Sequence, residues 1–477
     1  MKKTTFLLFL LLITINAFAQ EVVNSTVLEL KKNRDVFQTV NHEKNTVTLF
    51  ISDKEKVKAI NLNEKMKIVD SISAERPNTK TYANMIGYNT SNDGTRLYWS
   101  SNNQENILAQ LYDFNNRKTA NKEYKLILKN EKVLQKFSEN ENFYILTVIK
   151  NSNIFKLYVF NNEGNYTEKM IPTERFHFLE SDYKKSNLSG VLSENLPSFD
   201  PPFSLQNIIV ENPTSLTDAA KKRKCYFNNK QITITNDSNI DFTQVILINL
   251  NDFTATEKMV KKPYLSGERA FLNSNSFYFD NKLYQIKTSS EIFHFTIKDL
   301  DDNIIKEYIA NSTNPIEFKN SEIYQEGGSF GGKRILENSS QFIRKTNNLS
   351  SAVSCYRIGP NTLITFGGVS ALQQSTGQIF AGQFGLVGGV IGALAFNPAM
   401  ESFNSYTNRK VVKIEGLFDS QGNHIKGELQ PLAFDKIRTF FDKNNDVSSQ
   451  TLFKIDTYYL GYYDNKTKEY VIRKFTD

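Results

Sequence analysis

The sequence predicts an all-β fold, and two patterns lead to that prediction. Strands with alternating apolar residues dominate, and 12% of the residues are aromatic, which favours strands over helices. A unit of two apolar strands separated by a short polar break also recurs along the chain. Its clearest copy pairs residues 143–148 with residues 155–160 and closes with a turn at residues 161–165. Recurrence at this spacing indicates a repeat architecture.

Each repeat can be placed in order along the chain. Six units are predicted, at residues 36–72, 83–128, 133–171, 224–260, 269–309 and 354–427. Three strands follow at residues 452–456, 458–463 and 469–475, after a short helix predicted at Ala433–Phe441, where apolar residues share one face. An unassigned strand, Val22–Leu30, would complete a seventh unit by pairing with the last strands, and that pairing would leave no open sheet edge.

Three insertions are predicted between or within the units, at about residues 172–222, 310–350 and 370–402. The first contains Pro197, Pro201, Pro202 and Pro213, and proline cannot donate to a sheet ladder. We therefore expect a surface excursion there. The second is polar and rich in glycine, and we expect it to be an excursion as well.

This pattern resembles the β-propeller superfold over nearly the whole of residues 20–477. The resemblance implies one domain of four-stranded sheets around an axis, with seven blades, or six as the alternative, and a ring closed by the N-terminal strand. The Gly-His and Trp-Asp marks of WD40 repeats and a repeated kelch double glycine are absent from the sequence. The resemblance therefore implies no binding residues.

The first 19 residues have the features of a secretory signal peptide. Lys2 and Lys3 precede an apolar run from Phe6 to Ile15, and a small-residue site ends at Ala19. We expect cleavage after Ala19 and export across the inner membrane, to a periplasmic, outer-surface or secreted location. Residue 20 is glutamine, so a lipid-anchored form is not predicted. The net charge of +7 is mild for 477 residues and argues against a nucleic-acid binder.

Two cysteines, Cys225 and Cys355, begin strands of different units. Export would permit a disulfide, but cysteine is often a core residue, and we favour two buried free thiols.

No motif in the sequence predicts a set of catalytic, metal-binding or cofactor-binding residues. Residues 327–331 match G-x-S-x-G, but the strand, helix and downstream partners that this motif requires are missing. Residues 299–303 carry oxygen ligands at alternate positions, but they lack the glycine and glutamate of a calcium loop. His42, His177, His294 and His424 are widely spaced. The basic run at residues 221–224 is interpreted as a solvated loop.

The most unusual segment is Ile358–Met400, which has no charged residue and nine glycines. Within it, residues 379–396 are almost wholly apolar. A membrane-spanning helix is disfavoured because strands of one blade flank the segment on both sides. It either folds back on the propeller or contacts a partner or lipid. The residues of this possible interaction surface are Ile379, Phe380, Phe384, Leu386, Val387, Val390 and Ile391.

These observations favour an extracytoplasmic, non-catalytic module that binds or scaffolds a protein or surface partner without a cofactor. One alternative is a secreted carbohydrate- or peptide-active enzyme whose carboxylates meet at the propeller funnel. Another is a peripheral membrane protein that uses the apolar insertion at residues 379–396.

Overall fold

The computed structural model describes residues 21–27, 35–53, 55–91, 94–196, 200–228, 230–265, 271–327, 332–370, 397–407, 411–444 and 446–477. These residues form two compact units. One contains the described residues up to Arg76 and those from Pro431 onward, and the other contains those from Pro77 to Gln430. Antiparallel sheets dominate both units, as the sequence predicts. In the described part, no helix is long and apolar enough to cross a membrane.

Strand β1 (Glu21–Val27) is the first described element, and it pairs with the strand Glu469–Phe475 far along the chain. The next four strands form sheet 1 in sequential order: β2 (Asp35–Asn41), β3 (Thr46–Ser52), β4 (Lys56–Leu62) and β5 (Ile68–Glu75). Inner strand β3 is mostly buried, whereas most residues of the outermost strand, β5, are exposed.

Sheets 2 and 3 are four-stranded meanders. Sheet 2 consists of β6 (Asn84–Thr90), β7 (Gly94–Ser100), β8 (Asn106–Asp113) and β9 (Lys118–Lys125). Sheet 3 consists of β10 (Glu131–Ser138), β11 (Phe143–Ile149), β12 (Ile154–Phe160) and β13 (Tyr166–Pro172). The second strand of each sheet is buried on both faces, and β9 is polar and exposed. Continuous apolar runs therefore mark inner strands, because both faces of these strands are buried.

The insertion after sheet 3 is not a surface excursion, so that expectation is wrong. It contains helix α1 (Leu188–Ser193), strand β14 (Gln206–Ile208) and helix α2 (Leu216–Ala219). Its apolar residues, Leu188, Val191, Leu192 and Leu205 among them, join a core shared by sheets 3 and 4. The free energy gained by burying these side chains explains why the segment packs into the core despite its weak periodicity.

Sheet 4 has five strands because the insertion contributes one of them. Strand β14 pairs in parallel with β15, and the order is β14, β15 (Arg223–Asn228), β16 (Gln231–Asn236), β17 (Phe242–Asn249) and β18 (Ala255–Lys261). Sheet 5 contains β19 (Asn273–Phe279), β20 (Lys282–Thr288), β21 (Ile292–Lys298) and β22 (Ile304–Asn311). Its first hairpin turns at Asp280 and Asn281, which both have positive φ, as a type I′ turn requires.

The second predicted excursion contributes two short strands to sheet 6 and one helix, so it is not only a surface loop. Sheet 6 contains β23 (Ile323–Glu326), β24 (Lys333–Leu336), β25 (Ser350–Ile358), β26 (Asn361–Val369), β27 (Val411–Phe418) and β28 (His424–Ile425). Helix α3 (Ser339–Asn348) buries Phe342 and Ile343 in the core, and helix α4 (Pro398–Thr407) precedes β27.

The C-terminal residues form a helix and sheet 7. Helix α5 (Ala433–Lys443) matches the predicted helix and buries Ala433, Phe434, Ile437 and Phe440. The strands of sheet 7 are β29 (Val447–Lys454), β30 (Tyr458–Asp464), β31 (Glu469–Phe475) and, on the far side of β31, β1. The N-terminal strand therefore lies beside the C-terminal strands, with Val27 opposite Glu469.

Cys225 and Cys355 are buried free thiols in sheets 4 and 6, as the sequence analysis favoured. Burial raises the pKa of both thiols well above the usual value, which makes them unreactive core residues.

Candidate functional site

The seven apolar residues predicted as an interaction surface lie outside the described residues. They are Ile379, Phe380, Phe384, Leu386, Val387, Val390 and Ile391. The strands on either side are described, and Val369 at the end of β26 pairs with Val411 at the start of β27. The two ends of the insertion therefore return to neighbouring positions, as predicted.

The histidines do not converge with other metal-binding side chains. Within the described ranges, no group of three or more His, Cys, Asp or Glu side chains is arranged to hold a metal ion. His42 lies exposed in the turn after β2. The other three bond to separate partners, His177 to Glu257 at 2.9 Å, His294 to Glu307 at 2.6 Å and His424 to Asn320 at 2.9 Å.

The two motifs weighed in the sequence lie at hairpins. Gly327 has a positive φ of 73° and its N–H donates to Gly332 O, which closes the β23–β24 hairpin; residues 328–331 lie outside the described part. The Asp299 carboxylate accepts the N–H groups of Asp301 and Asn303, both at 2.9 Å, in the β21–β22 turn. Gly327 and Asp299 therefore each have a local structural role in a turn.

A cluster of four charged side chains joins sheets 4 and 5. It consists of Lys222, Lys224, Asp237 and Lys262, and we call it the lysine–aspartate cluster. Lys222 and Lys224 lie at the start of β15, Asp237 follows β16, and Lys262 follows β18. Antiparallel pairing of β15 with β16 brings the start of one strand beside the end of the other.

Asp237 is the centre of this cluster and is 1% exposed. One carboxylate oxygen accepts from Thr243 Oγ1 at 2.7 Å and lies 3.2 Å from Lys262 Nζ. The other accepts from Lys224 Nζ at 3.0 Å, Ser276 Oγ at 2.7 Å and Ser276 N at 3.2 Å. Burial acts to raise the pKa of Asp237, but Lys262 and Lys224 hold it well below the usual value. The carboxylate is therefore charged and has no free acceptor position.

The ammonium groups of Lys224 and Lys262 are also fully hydrogen-bonded. Besides Asp237, Lys224 Nζ donates to Lys221 O at 2.6 Å and Asn275 Oδ1 at 2.7 Å. Lys262 Nζ donates to Asp237 O at 3.3 Å and Asn239 O at 2.6 Å, in addition to its ion pair. Each lysine has three N–H donors, and each finds three acceptors. Lys224 joins the two sheets through Asn275, and neither ammonium group has capacity left for a ligand.

The same side chains also cap an unpaired strand edge. Strand β19 pairs with β20 on one side, and side chains from sheet 4 reach its other edge at every second residue. The contacts are Lys222 Nζ to Ser274 O, Ser276 N to Asp237, and Tyr278 N to Tyr226 Oη at 3.1 Å. Alternate residues direct their backbone groups to the same edge, so this spacing satisfies groups that burial would otherwise leave unpaired.

Lys222 differs from the other cluster members because its ammonium is not saturated. It is half-buried and donates to Ser274 O, and among the described residues no carboxylate lies within 4 Å of it. Burial and then repulsion from Lys262 lower the pKa of Lys222 to about 7. Near neutral pH this group therefore exists both as an ammonium, which binds anions, and as a free amine.

Arg223 ties the insertion to the cluster. It is 1% exposed, and its guanidinium donates to five backbone carbonyls, those of Val191, Leu192, Glu194, Asp200 and Pro201. The solvated-loop interpretation of the basic run is therefore wrong, since both Arg223 and Lys224 are buried. The insertion supplies the carbonyl acceptors that make this burial possible.

A second polar contact between the sheets lies at Asp241. Its carboxylate accepts from Lys287 Nζ of sheet 5 at 2.9 Å and from Tyr183 Oη of the insertion. The hydrogen bond from Tyr183, followed by that from Lys287, lowers the pKa of Asp241. The insertion and both sheets are therefore connected through charged groups near the cluster.

Comparison with known proteins leaves the family open. No family model and no curated protein matches the chain. A member of the DUF4221 family from Bacteroides vulgatus is 11% identical with a TM-score of 0.31, over 94% of this chain and 99% of that one. A cobalt-substituted apocarotenoid oxygenase from Synechocystis is 7% identical with a TM-score of 0.27, over 60% of this chain. The match spans 63% of that oxygenase. These similarities are too low to support an argument about function.

Proposed function

We propose that this chain is an exported, non-catalytic β-propeller that binds a ligand or partner. In this proposal the signal peptide is removed after Ala19, and the seven sheets are seven blades of one ring, closed where β1 joins sheet 7. The repeated meanders and the pairing of β1 with β31 support the architecture.

The observation that carries the binding role is the saturation of Asp237. Acid–base catalysis needs a carboxylate that can take up and release a proton near the reacting atoms. Asp237 receives hydrogen bonds or ion pairs from Thr243, Ser276 and two lysines, and its pKa lies far below neutral. The cluster therefore supports recognition of negative charge better than proton transfer.

A second candidate function follows from Lys222. A half-buried amine that is partly unprotonated near pH 7 is a nucleophile, so an enzyme acting through Lys222 is the alternative. The apolar segment at residues 379–396 stays a proposed contact for a protein partner or a lipid surface.

A thermal-shift screen with product analysis separates these functions. The mature protein is scanned against organic acids, phosphate esters, sugars and acidic peptides, and each mixture is then analysed by mass spectrometry. A binding module should melt at higher temperature with its ligand, and the ligand should be recovered unchanged. Conversion of a ligand that is lost in Lys222→Met would contradict the binding role and favour the enzyme.

Deleting residues 21–27 tests ring closure. The deletion uncovers the edge of β31, so the free energy of unfolding should fall by several kcal/mol, or unfolding should lose its cooperativity. Urea and thermal unfolding measure both effects. Val22→Thr is the matched control, because Val22 is 46% exposed, and it should change little. An unchanged melting curve after the deletion would count against closure through β1.

A further inference from the structure

We propose that Lys222 and Ser274 form a binding site for a small oxyanion, a phosphate or a carboxylate group. This inference deepens the proposed binding function, on which it rests, by naming the class of ligand. Its basis is one ammonium group without a counter-charge at ion-pair distance, next to a residue whose buried hydroxyl has no partner among the described residues.

The surroundings of Lys222 carry an excess of positive charge. Lys222, Lys224 and Lys262 face one carboxylate in the cluster, and Asp237 pairs with the latter two. The next carboxylate, Asp200, accepts the backbone N–H groups of Lys222 and Arg223, at 2.7 Å and 3.1 Å, and lies 3.7 Å from Lys221 Nζ. The charge on Lys222 therefore has no partner at ion-pair distance within the described residues.

Two buried donors without partners, on Ser274 and Asn239, give evidence that does not depend on charge. Ser274 is 1% exposed, and its hydroxyl has no hydrogen-bond partner among the described residues. The backbone carbonyl of Ser274 accepts a hydrogen bond from the Lys222 ammonium, so Ser274 and Lys222 are neighbouring residues. Asn239, also 1% exposed, has a side-chain N–H without a partner, and its carbonyl binds Lys262. Buried polar groups normally have partners, so these donors are available to bind the oxygen atoms of a polar ligand.

The donor set also selects the chemistry of the ligand. An ammonium and a hydroxyl donate to oxygen atoms, and the ammonium favours a negative charge on them. Binding stabilises the protonated form of Lys222, so affinity should be higher below pH 7 than above it. The groups around Lys222 that set its charge are Lys262, Asp237, Lys224 and Asp200.

Calorimetric titration with inorganic phosphate and with citrate, at pH 6.5 and constant ionic strength set with sodium chloride, tests the site. Wild-type protein should show saturable binding of at least one of these anions. Lys222→Met should weaken it at least tenfold. The matched control is Lys230→Met, an exposed lysine in the turn after β15, which should leave affinity unchanged. Equal anion affinity in wild type and Lys222→Met would overturn the proposal. It would also be overturned if wild-type protein bound neither phosphate nor citrate.

Ser274→Ala distinguishes a ligand contact from a structural role. Because the hydroxyl has no partner, its removal should leave the melting temperature unchanged or raised, while anion affinity falls several-fold. If Lys222→Met does not fold, this variant and the NMR signal of ¹³C-labelled Lys222 in wild type decide the outcome. That signal should shift on titration with the bound anion, and a constant signal would overturn the site.

The outcomes also separate this inference from the proposed function. Anion binding at Lys222 followed by chemical conversion of the ligand would support the site and contradict the non-catalytic role. Binding of an uncharged ligand without turnover, together with no response to phosphate or citrate, would support the binding role and overturn the site.

Discussion

Sheet 5 shares an apolar core with both of its neighbours, but only the contact with sheet 4 also contains the buried lysine–aspartate cluster. Towards sheet 4 it uses the lysine–aspartate cluster, in which Asp237 and two ammonium groups are buried. Towards sheet 6 it uses a phenylalanine cluster, in which the rings of Phe295 and Phe366 are 4.7 Å apart. The members of this cluster are Phe293, Phe295, Phe318, Phe366 and Phe418. Similar sheets can therefore pack with or without buried ions in the contact.

Physical chemistry separates what the two junctions contribute. A buried phenylalanine removes roughly 150–250 Å² from water, which stabilises the fold by several kcal/mol at about 25 cal/mol per Å². A buried ion pair loses hydration, and apolar residues of similar volume are often equally stabilising. Stability alone does not require ions between sheets 4 and 5. The lysine–aspartate cluster between sheets 4 and 5, the ionic junction, also satisfies backbone groups at the free edge of β19 and sets the charge around Lys222. The contact between sheets 5 and 6 has neither role.

The largest expected effect is the loss of Asp237. Asp237→Ala would leave the ammonium groups of Lys224 and Lys262 buried without a counter-charge, so the free energy of unfolding should fall by about 3–5 kcal/mol. Urea unfolding followed by circular dichroism measures this change. The control is Asp301→Ala, whose side chain is 70% exposed and pairs with Lys258, and which should cost at most about 1 kcal/mol. Equal losses in the two variants would show that the buried cluster contributes no more than a surface pair.

Replacing the whole trio tests whether the ions are needed for stability. The triple variant Lys224→Met, Asp237→Leu and Lys262→Met removes all three charges together and keeps the junction filled. It should be within about 1 kcal/mol of wild type, or up to about 4 kcal/mol more stable. The same urea titration measures it. A loss as large as that of Asp237→Ala would break the comparison, because it would make the ions essential to the junction.

The same contrast explains how far the sequence could predict the fold. Continuous apolar strands such as residues 143–149 predict the sheets, because buried inner strands require such residues. The sequence predicts a strand at Val22–Leu30 beside the C-terminal strands, because that strand belongs to no other repeat. The insertion was mispredicted, because its proline-rich composition conceals the contacts that bury Leu188 and Leu192.

The cluster itself could not be predicted, because its four members are spread over residues 222 to 262. The available signal was a charged residue at a strand end, as at Lys224 before an apolar run, but solvated strand ends look the same. Burial of Lys224 depends on acceptors at Asp237 and Asn275, which pairing of strands and packing of sheets bring within reach.

The smallest expected effect is a pH dependence that belongs to the ionic junction. Burial lowers the pKa of Lys222 to about 7, whereas an unfolded lysine keeps its proton to about pH 10. Between these values the unfolded chain binds more protons than the folded chain, so the stability contributed through Lys222 should rise with pH. The rise is at most about 1.4 kcal/mol per pH unit for one lysine, and solvent screening reduces it.

Urea unfolding at pH 7, 8 and 9 should show that the free energy of unfolding rises less steeply with pH in Lys222→Met than in wild type. Phe295→Leu, in the phenylalanine cluster, is the matched control and should lower stability without changing the slope. Identical slopes in wild type and Lys222→Met would show that Lys222 titrates like an exposed lysine, and the special electrostatic environment assigned to the ionic junction would then be wrong.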